Sequence, residues 1–238
     1  DEDADEWLVT TKCGKRVRAQ HVVMATGVLS ASKEPDIAGR DNFKGDTYRT
    51  GLWPKEGVDF KGKRVAVIGT GSSAVQAIPM IAQEASELVV YQRTATFTTP
   101  ALNHPVKQDE AEAIKANYTD YRAKQRLNVL GVVNERAVDR ALDATPEERE
   151  RRFAAGWESG LLPGMLFQFA DLQVEQEAND HISEYIRDRI RDTVKDPQTA
   201  QDLLPNDYPY GTKRPCIDTN YYETFNQDNV SLVNLRRT

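Results

Sequence analysis

The sequence predicts an α/β fold interrupted by an all-helical insertion. Three observations predict it. The apolar run Val65-Ala66-Val67-Ile68 is followed at once by Gly69-Thr70-Gly71-Ser72-Ser73 and a helix-forming stretch. That is the order of a strand, a tight turn and a helix, as at the start of a βαβ unit. A second run, Glu87-Leu88-Val89-Val90-Tyr91, begins 18 residues after Gly69, where the next strand belongs. From Lys107 to about Gln201 the chain is highly charged and helical in its spacing, with few strand-like runs.

Taken in order, residues 1–6 are almost all acidic and read as solvated. Trp7–Thr11 alternates like a strand, Cys13-Gly14-Lys15 is a turn, and Arg16–Gln20 is a return strand with Val17 pointing inward. His21-Val22-Val23-Met24 reads as a buried strand ended by Ala25-Thr26-Gly27. Such an ending commonly closes a nucleotide-binding domain whose own glycine loop lies upstream, so the chain, which begins at Asp1, reads as a piece of a longer protein. Residues 29–40, with Pro35 and Gly39, form a connector. Asp59–Lys63 turns into Val65–Ile68, whose β-branched, continuous apolar character suits a strand buried on both faces.

The helix after the glycine turn is expected over Ser72–Ala85, with Ala74, Val75, Ile78 and Ile81 near one face and a kink at Pro79. Further on, Thr145-Pro146-Glu147-Glu148 has the form of a capping box with proline in the first turn. Asp180 reads as the cap of a helix carrying Ile182, Tyr185, Ile186 and Ile190. Asp196-Pro197 starts a short helix. Tyr221–Asn226 is another, with Tyr221 and Tyr222 in the core, and Val230–Val233 is a final strand.

The glycine turn carries the chemistry. Gly69 permits the turn, Gly71 has no side chain to hold a pyrophosphate away, and Ala74 is small enough for the helix to lie close to the strand. The helix N-terminus, with Thr70, Ser72, Ser73 and Gln76 around it, offers unpaired N–H groups and a positive dipole end to an anion. The second strand ends in Gln92-Arg93-Thr94, where an NAD site would carry Asp or Glu. Arg93 offers a forked cation and Thr94 a hydroxyl to a 2′-phosphate, which points to NADP and a Rossmann-like NADP-binding domain. The plainer reading is a glycine turn in an ordinary α/β domain, with Arg93 as a surface charge.

Bulk properties narrow the partners. The 238 residues carry a formal charge of −6 with no long basic run, which disfavours nucleic acid. Cys13 and Cys216 form no CxxC pair, which fits a reducing cytoplasm. His21, His104 and His181 are scattered, and no metal site is expected. No apolar run approaches membrane-spanning length.

The residues Phe43-x-Gly45-x-x-x-Arg49-x-x-x-Trp53-Pro54 resemble the fingerprint F-x-G-x-x-x-H-x-x-x-W-P of the Baeyer–Villiger monooxygenases, relatives of the flavin-containing monooxygenases. Two further segments are similar to that family: Val67–Ser73 with Tyr91-Gln92-Arg93-Thr94, and Tyr208-Pro209-Tyr210-Gly211-Thr212-Lys213-Arg214. The resemblance implies a division into residues 1–28 (end of an FAD-binding segment), 29–99 (linker and first part of the NADP-binding domain), 100–207 (helical insertion) and 208–238 (second part of the NADP-binding domain). It implies that FAD and NADP are the cofactors, and that O₂ is used to oxygenate a small ketone to an ester or lactone, or a sulfide. Carried over by position, Gly69, Thr70, Gly71 and Ser72 hold the pyrophosphate, and Arg93 and Lys213 the 2′-phosphate. Arg214 is then the catalytic cation beside the flavin. The fingerprint histidine is replaced by Arg49, which keeps hydrogen-bond donors but loses the titratable neutral state. Coupling of NADPH use to product is the property most exposed to that change. Two other readings are a degenerate NADP-binding module and a different two-dinucleotide flavoprotein oxidoreductase. A disulfide reductase of the latter kind would need a redox-active cysteine pair.

Overall fold

The computed structural model describes residues 5–27, 31–128, 131–133 and 137–237. The chain forms two compact units, Asp1–Val58 and Asp59–Thr238. The division of 1–28 from 29–99 expected above concerns cofactor domains and is a different boundary.

In the first unit, strands β1 (Trp7–Thr10) and β2 (Arg16–Ala19) form the expected antiparallel hairpin, with Trp7 opposite Ala19 and Thr10 opposite Arg16. Thr11 Oγ1 accepts from Lys15 N at 3.1 Å across the turn. None of the described residues in this unit is buried. Val17, expected to point inward, is 57% exposed. The buried strand expected at His21–Met24 does not form: residues 21–27 have no regular structure and Val23 is 88% exposed. An apolar run becomes a strand only when a neighbour pairs its N–H and C=O groups, and no described segment does so here.

The second unit is built on a parallel sheet of strands β3 (Arg64–Ile68), β4 (Glu87–Gln92) and, at the far end of the chain, β7 (Val230–Asn234). The sheet order is β3-β4-β7. Ile68 lies beside Tyr91, and Gln92 beside Asn234, so all three strands end together. Helix α1 (Ser72–Ala82) crosses from β3 to β4 and buries Val75, Ile78, Pro79, Ile81 and Ala82. β3 is buried on one face only, not on both: Val65 and Val67 face the core, whereas Ile68 is 67% exposed. It is the edge strand of the sheet.

Between β4 and β7 run a short strand β5 (Thr98–Pro100) and helices α2 (Gln108–Ala116), α3 (Tyr118–Leu127), α4 (Pro146–Ser159), α5 (Leu161–Leu166), α6 (Gln176–Thr193) and α7 (Pro197–Leu203). Strand β6 (Cys216–Asp218) and helix α8 (Tyr221–Thr224) follow. Thr145 caps α4, accepting from Glu148 N at 3.2 Å. The reciprocal half of the capping box is absent, because the Glu148 carboxylate pairs forward with Arg151 at 2.7 Å. Asp196 caps α7 through Thr199 N at 2.7 Å. Asp180, expected as a cap, lies inside α6 and accepts from Gln176 Nε2; the helix starts a turn earlier because the apolar stripe already begins at the buried Ala178. Ile182, Tyr185, Ile186 and Ile190 are buried along that stripe. Strands β5 and β6 pair in parallel, Thr98 beside Cys216. This two-stranded sheet was not foreseen, since three-residue strands carry no readable period.

Candidate functional site

The glycine turn and the end of β4 are fastened to each other. Gly69, at φ 102°, sits where a side chain would be strained, and its N–H donates to Tyr91 O at 2.9 Å. The Thr70 hydroxyl donates to Thr94 O at 2.9 Å. Thr70 is buried, so its hydroxyl braces the turn and only its backbone is left to face a ligand. A methyl group added at Gly71 would meet nothing within 4 Å, so packing inside the protein does not require glycine there. Helix α1 has no side-chain cap at its N-terminus. Gln76 Nε2 folds back on Ser72 O at 3.1 Å and Ser72 Oγ at 3.3 Å, which fixes Ser72 beside Ser73. An open approach to an uncapped helix N-terminus fits the pyrophosphate of a dinucleotide.

Arg93 is exposed at the end of β4 and makes no ion pair with a described residue. It lines a cleft of about 290 Å³ together with Gln92, Asp202, Asp207, Arg236 and Arg237, among others. The cleft opens beyond the carboxyl ends of β4 and β7, the edge at which parallel sheets bind ligands. Gln92 forms its floor: it is buried, and its Nε2 donates to Asp202 O at 2.6 Å.

The loop carrying Lys213 and Arg214 is pinned at three places. Asn179 of α6, 4% exposed, holds the Tyr210 backbone on both sides. Its Oδ1 accepts from Tyr210 N at 2.9 Å and its Nδ2 donates to Tyr210 O at 2.8 Å. The Tyr208 hydroxyl donates to Ala95 O at 3.3 Å and accepts from Phe97 N at 3.4 Å. Beyond the loop, Cys216 N donates to Phe97 O at 3.0 Å, and the Tyr222 hydroxyl to Thr96 O at 3.0 Å. Phe97 packs edge-on against Tyr208 and Tyr210, with centroids at 5.6 and 5.3 Å. Gly211, at φ 89°, turns the chain where a Cβ would come within 3.1 Å of Leu166.

Lys213 Nζ lies 4.2 Å from the centre of the Tyr208 ring. One tyrosine ring thus separates Lys213 from Ala95, two residues past Arg93. Arg214 is exposed and has no hydrogen bond or ion pair with a described residue. Asp218 anchors the end of β6: its carboxylate accepts from Tyr221 N at 2.6 Å and from the Thr98 hydroxyl at 3.2 Å. Burial pushes its carboxyl up to about 6.

The structure therefore brings Gly69, Thr70, Gly71, Ser72, Ser73, Gln76, Arg93, Thr94, Lys213 and Arg214 into one unit, with their segments cross-linked. Phe43, Gly45, Arg49, Trp53 and Pro54 belong to the first unit. There the Phe43 ring covers Gly45 so closely that a Cβ would meet it at 2.5 Å. Arg49 pairs with Glu34 at 2.7 Å, and Trp53 lies 6.0 Å from Tyr48, ring to ring. The described residues of this unit hold no strand–glycine–helix turn. Sequence reasoning missed Asn179. Its signal was a polar residue in register with Ile182 and Ile186 on an apolar stripe, a position that calls for buried hydrogen-bond partners. Among the described residues no His, Cys, Asp and Glu cluster could hold a metal, and no helix is long and apolar enough to cross a membrane.

Comparison with known proteins places these features in context. The pattern of the pyridine nucleotide-disulphide oxidoreductase family matches residues 1–153. A 2-oxo-Δ³-4,5,5-trimethylcyclopentenylacetyl-CoA monooxygenase of Pseudomonas putida is 38% identical over 97% of the chain. A Baeyer–Villiger monooxygenase of Pseudooceanicola batsensis is 41% identical over 97%. The chain spans 43% and 42% of the length of these two relatives. An oxidized steroid monooxygenase bound to NADP superposes with a TM-score of 0.92 at 41% identity, covering 100% of this chain and 45% of the other. A cyclohexanone monooxygenase from Rhodococcus sp. Phi1 bound to NADP⁺ gives 0.93 at 37% identity, covering 99% and 44%.

Proposed function

The chain belongs to the pyridine nucleotide-disulphide oxidoreductase family, and from that premise we propose that it is the NADP-binding part of a flavin-dependent Baeyer–Villiger monooxygenase. The whole protein would use NADPH, FAD and O₂ to insert one oxygen atom beside a ketone carbonyl, giving an ester or lactone, and would also oxygenate sulfides. The observation that carries the reading is the cross-linked arrangement of glycine turn, Arg93 and the Lys213-Arg214 loop, in a chain similar to ketone monooxygenases over nearly all its length. The disulfide branch of the family is not favoured, since Cys13 and Cys216 are both free, and both fit a reducing cytoplasm.

In this reading residues 1–28 end the FAD-binding segment, and residues 29–99 and 208–238 form the NADP-binding domain around the 100–207 insertion. The backbone N–H groups from Gly71 to Ser73 bind the pyrophosphate, and Gly71 keeps the approach clear. Arg93, Thr94 and Lys213 bind the 2′-phosphate and set the preference for NADP. The flavin, when bound, supplies the redox and oxygen chemistry. Arg214 holds a positive charge where negative charge develops. With no hydrogen bond or ion pair to a described residue, its donors are left available to reacting atoms. Arg49 serves the linker through its ion pair with Glu34.

The test is made on the full-length protein. Bound flavin, NADPH oxidation that rises with added ketone, and an ester or lactone in the product mixture are expected. A protein that carries no flavin, or that consumes NADPH only to make hydrogen peroxide, would overturn the assignment.

A further inference from the structure

We propose that Arg236 is a further determinant of nucleotide specificity, a cation that meets the 2′-phosphate from the β7 side while Arg93 meets it from the β4 side. The inference rests on the NADP reading above. The turn after β7 is fixed in place: Leu235 N donates to Gln92 O at 2.8 Å, and Arg236 N to Asn234 Oδ1 at 3.1 Å. The Arg236 side chain therefore leaves the sheet beside the end of β4. Its Nη1 donates to Asp207 Oδ1 at 2.5 Å, and its Nη2 lies 3.5 Å from Thr94 Oγ1. Asp207 thus holds one edge of the guanidinium and leaves the other turned toward Thr94, the hydroxyl next to Arg93.

The neighbouring Arg237 has a different task. It pairs with Asp202, whose carboxylate also accepts from Asn234 Nδ2 at 2.9 Å. Three arginines of the cleft, Arg93, Arg236 and Arg237, face two aspartates, Asp202 and Asp207, which leaves one positive charge over. A doubly charged phosphate entering beside Arg93 would find the Nη2 edge of Arg236, held only by its long bond to the Thr94 hydroxyl, already oriented, so little side-chain entropy is lost on binding. NAD offers nothing at this place, and Arg236 is idle toward it.

The experiment compares binding of NADP⁺ and NAD⁺ to the full-length protein by titration calorimetry, with 2′,5′-ADP and AMP as smaller probes of the same difference. Arg236→Ala should weaken NADP⁺ and 2′,5′-ADP by about tenfold and change NAD⁺ and AMP by less than about twofold. Arg236→Lys should recover part of the loss, since it keeps the charge but not the fork. Equal losses for NADP⁺ and NAD⁺, or no loss for either, would overturn the role of Arg236. Arg93→Ala separates the two levels of inference. NADP⁺ selectivity that depends on Arg93 but not on Arg236 removes only this proposal. Binding of neither nucleotide, or no selectivity in the unsubstituted full-length protein, removes the NADP reading together with it.

Discussion

Two groups of cations in the second unit are built in opposite ways. At the corner where β4 and β7 end, Arg236 and Arg237 are paired with Asp207 and Asp202 and backed by the buried Gln92. On the 208–214 loop the backbone is pinned by Asn179 and Tyr208, yet Arg214 itself touches no described partner. A corner of oriented charges suits recognition, because a bound phosphate then meets donors already aimed at it. A rigid loop with an unpaired cation suits chemistry, because that charge is not neutralised before the reaction needs it. An unpaired arginine is informative only when the backbone beneath it is fixed.

The largest effect is expected at Arg214. Arg214→Ala in the full-length enzyme should lower product formation by about 10²–10³-fold while leaving NADP⁺ affinity within about threefold. Equal loss of both would merge the two sites. Next in size, Asn179→Ala should destabilise the protein by about 2–3 kcal/mol, because it strips the buried Tyr210 C=O of its partner and leaves its N–H only the 3.4 Å bond to Ser183 Oγ; thermal unfolding measures it. Arg93→Ala should cost NADP⁺ about ten- to thirtyfold in affinity and NAD⁺ little, and equal losses would show that Arg93 braces the fold.

The smallest effect concerns pH. Burial raises the Asp218 carboxyl to about 6, the nearby Glu223 carboxylate adds to this, and the Tyr221 N–H and Thr98 hydroxyl oppose it. Tyr221 and Tyr222, themselves pushed upward by burial, also face it, and the buried Cys216 lies on the same strand. The folded state then holds the proton more tightly than the unfolded chain, whose ordinary value is 3.8. Stability from this group is therefore lost as pH rises from about 4 to about 6. Asp218→Asn should gain about 1–2 kcal/mol on the parent between pH 4 and pH 7, read from unfolding curves at each pH. A constant difference across that range would remove the titration of Asp218 from the account.

Much of the second unit was legible because its signals are local. Val65–Ile68, the glycine turn, Thr145 and Asp196 each act through residues within a few positions, and each lies in an element the structure contains. His21–Met24 has the same apolar character as Val65–Ile68 but found no pairing strand, and composition alone cannot supply one. Burial was misjudged at Val17 and Ile68 for the same reason, since exposure depends on what lies opposite. Arg93, Lys213 and Arg214 were legible as residue types, whereas Asn179, the Tyr208 hydroxyl and the pairing of β5 with β6 join segments far apart in the chain. Such contacts have no signature in a single run of letters.

The grip of Asn179 on both backbone groups of Tyr210 makes helix α6 the mount on which the arginine loop is carried. A tool is only as steady as its holder. Any drift of α6 along its axis would carry the tip of the loop, and Arg214 with it.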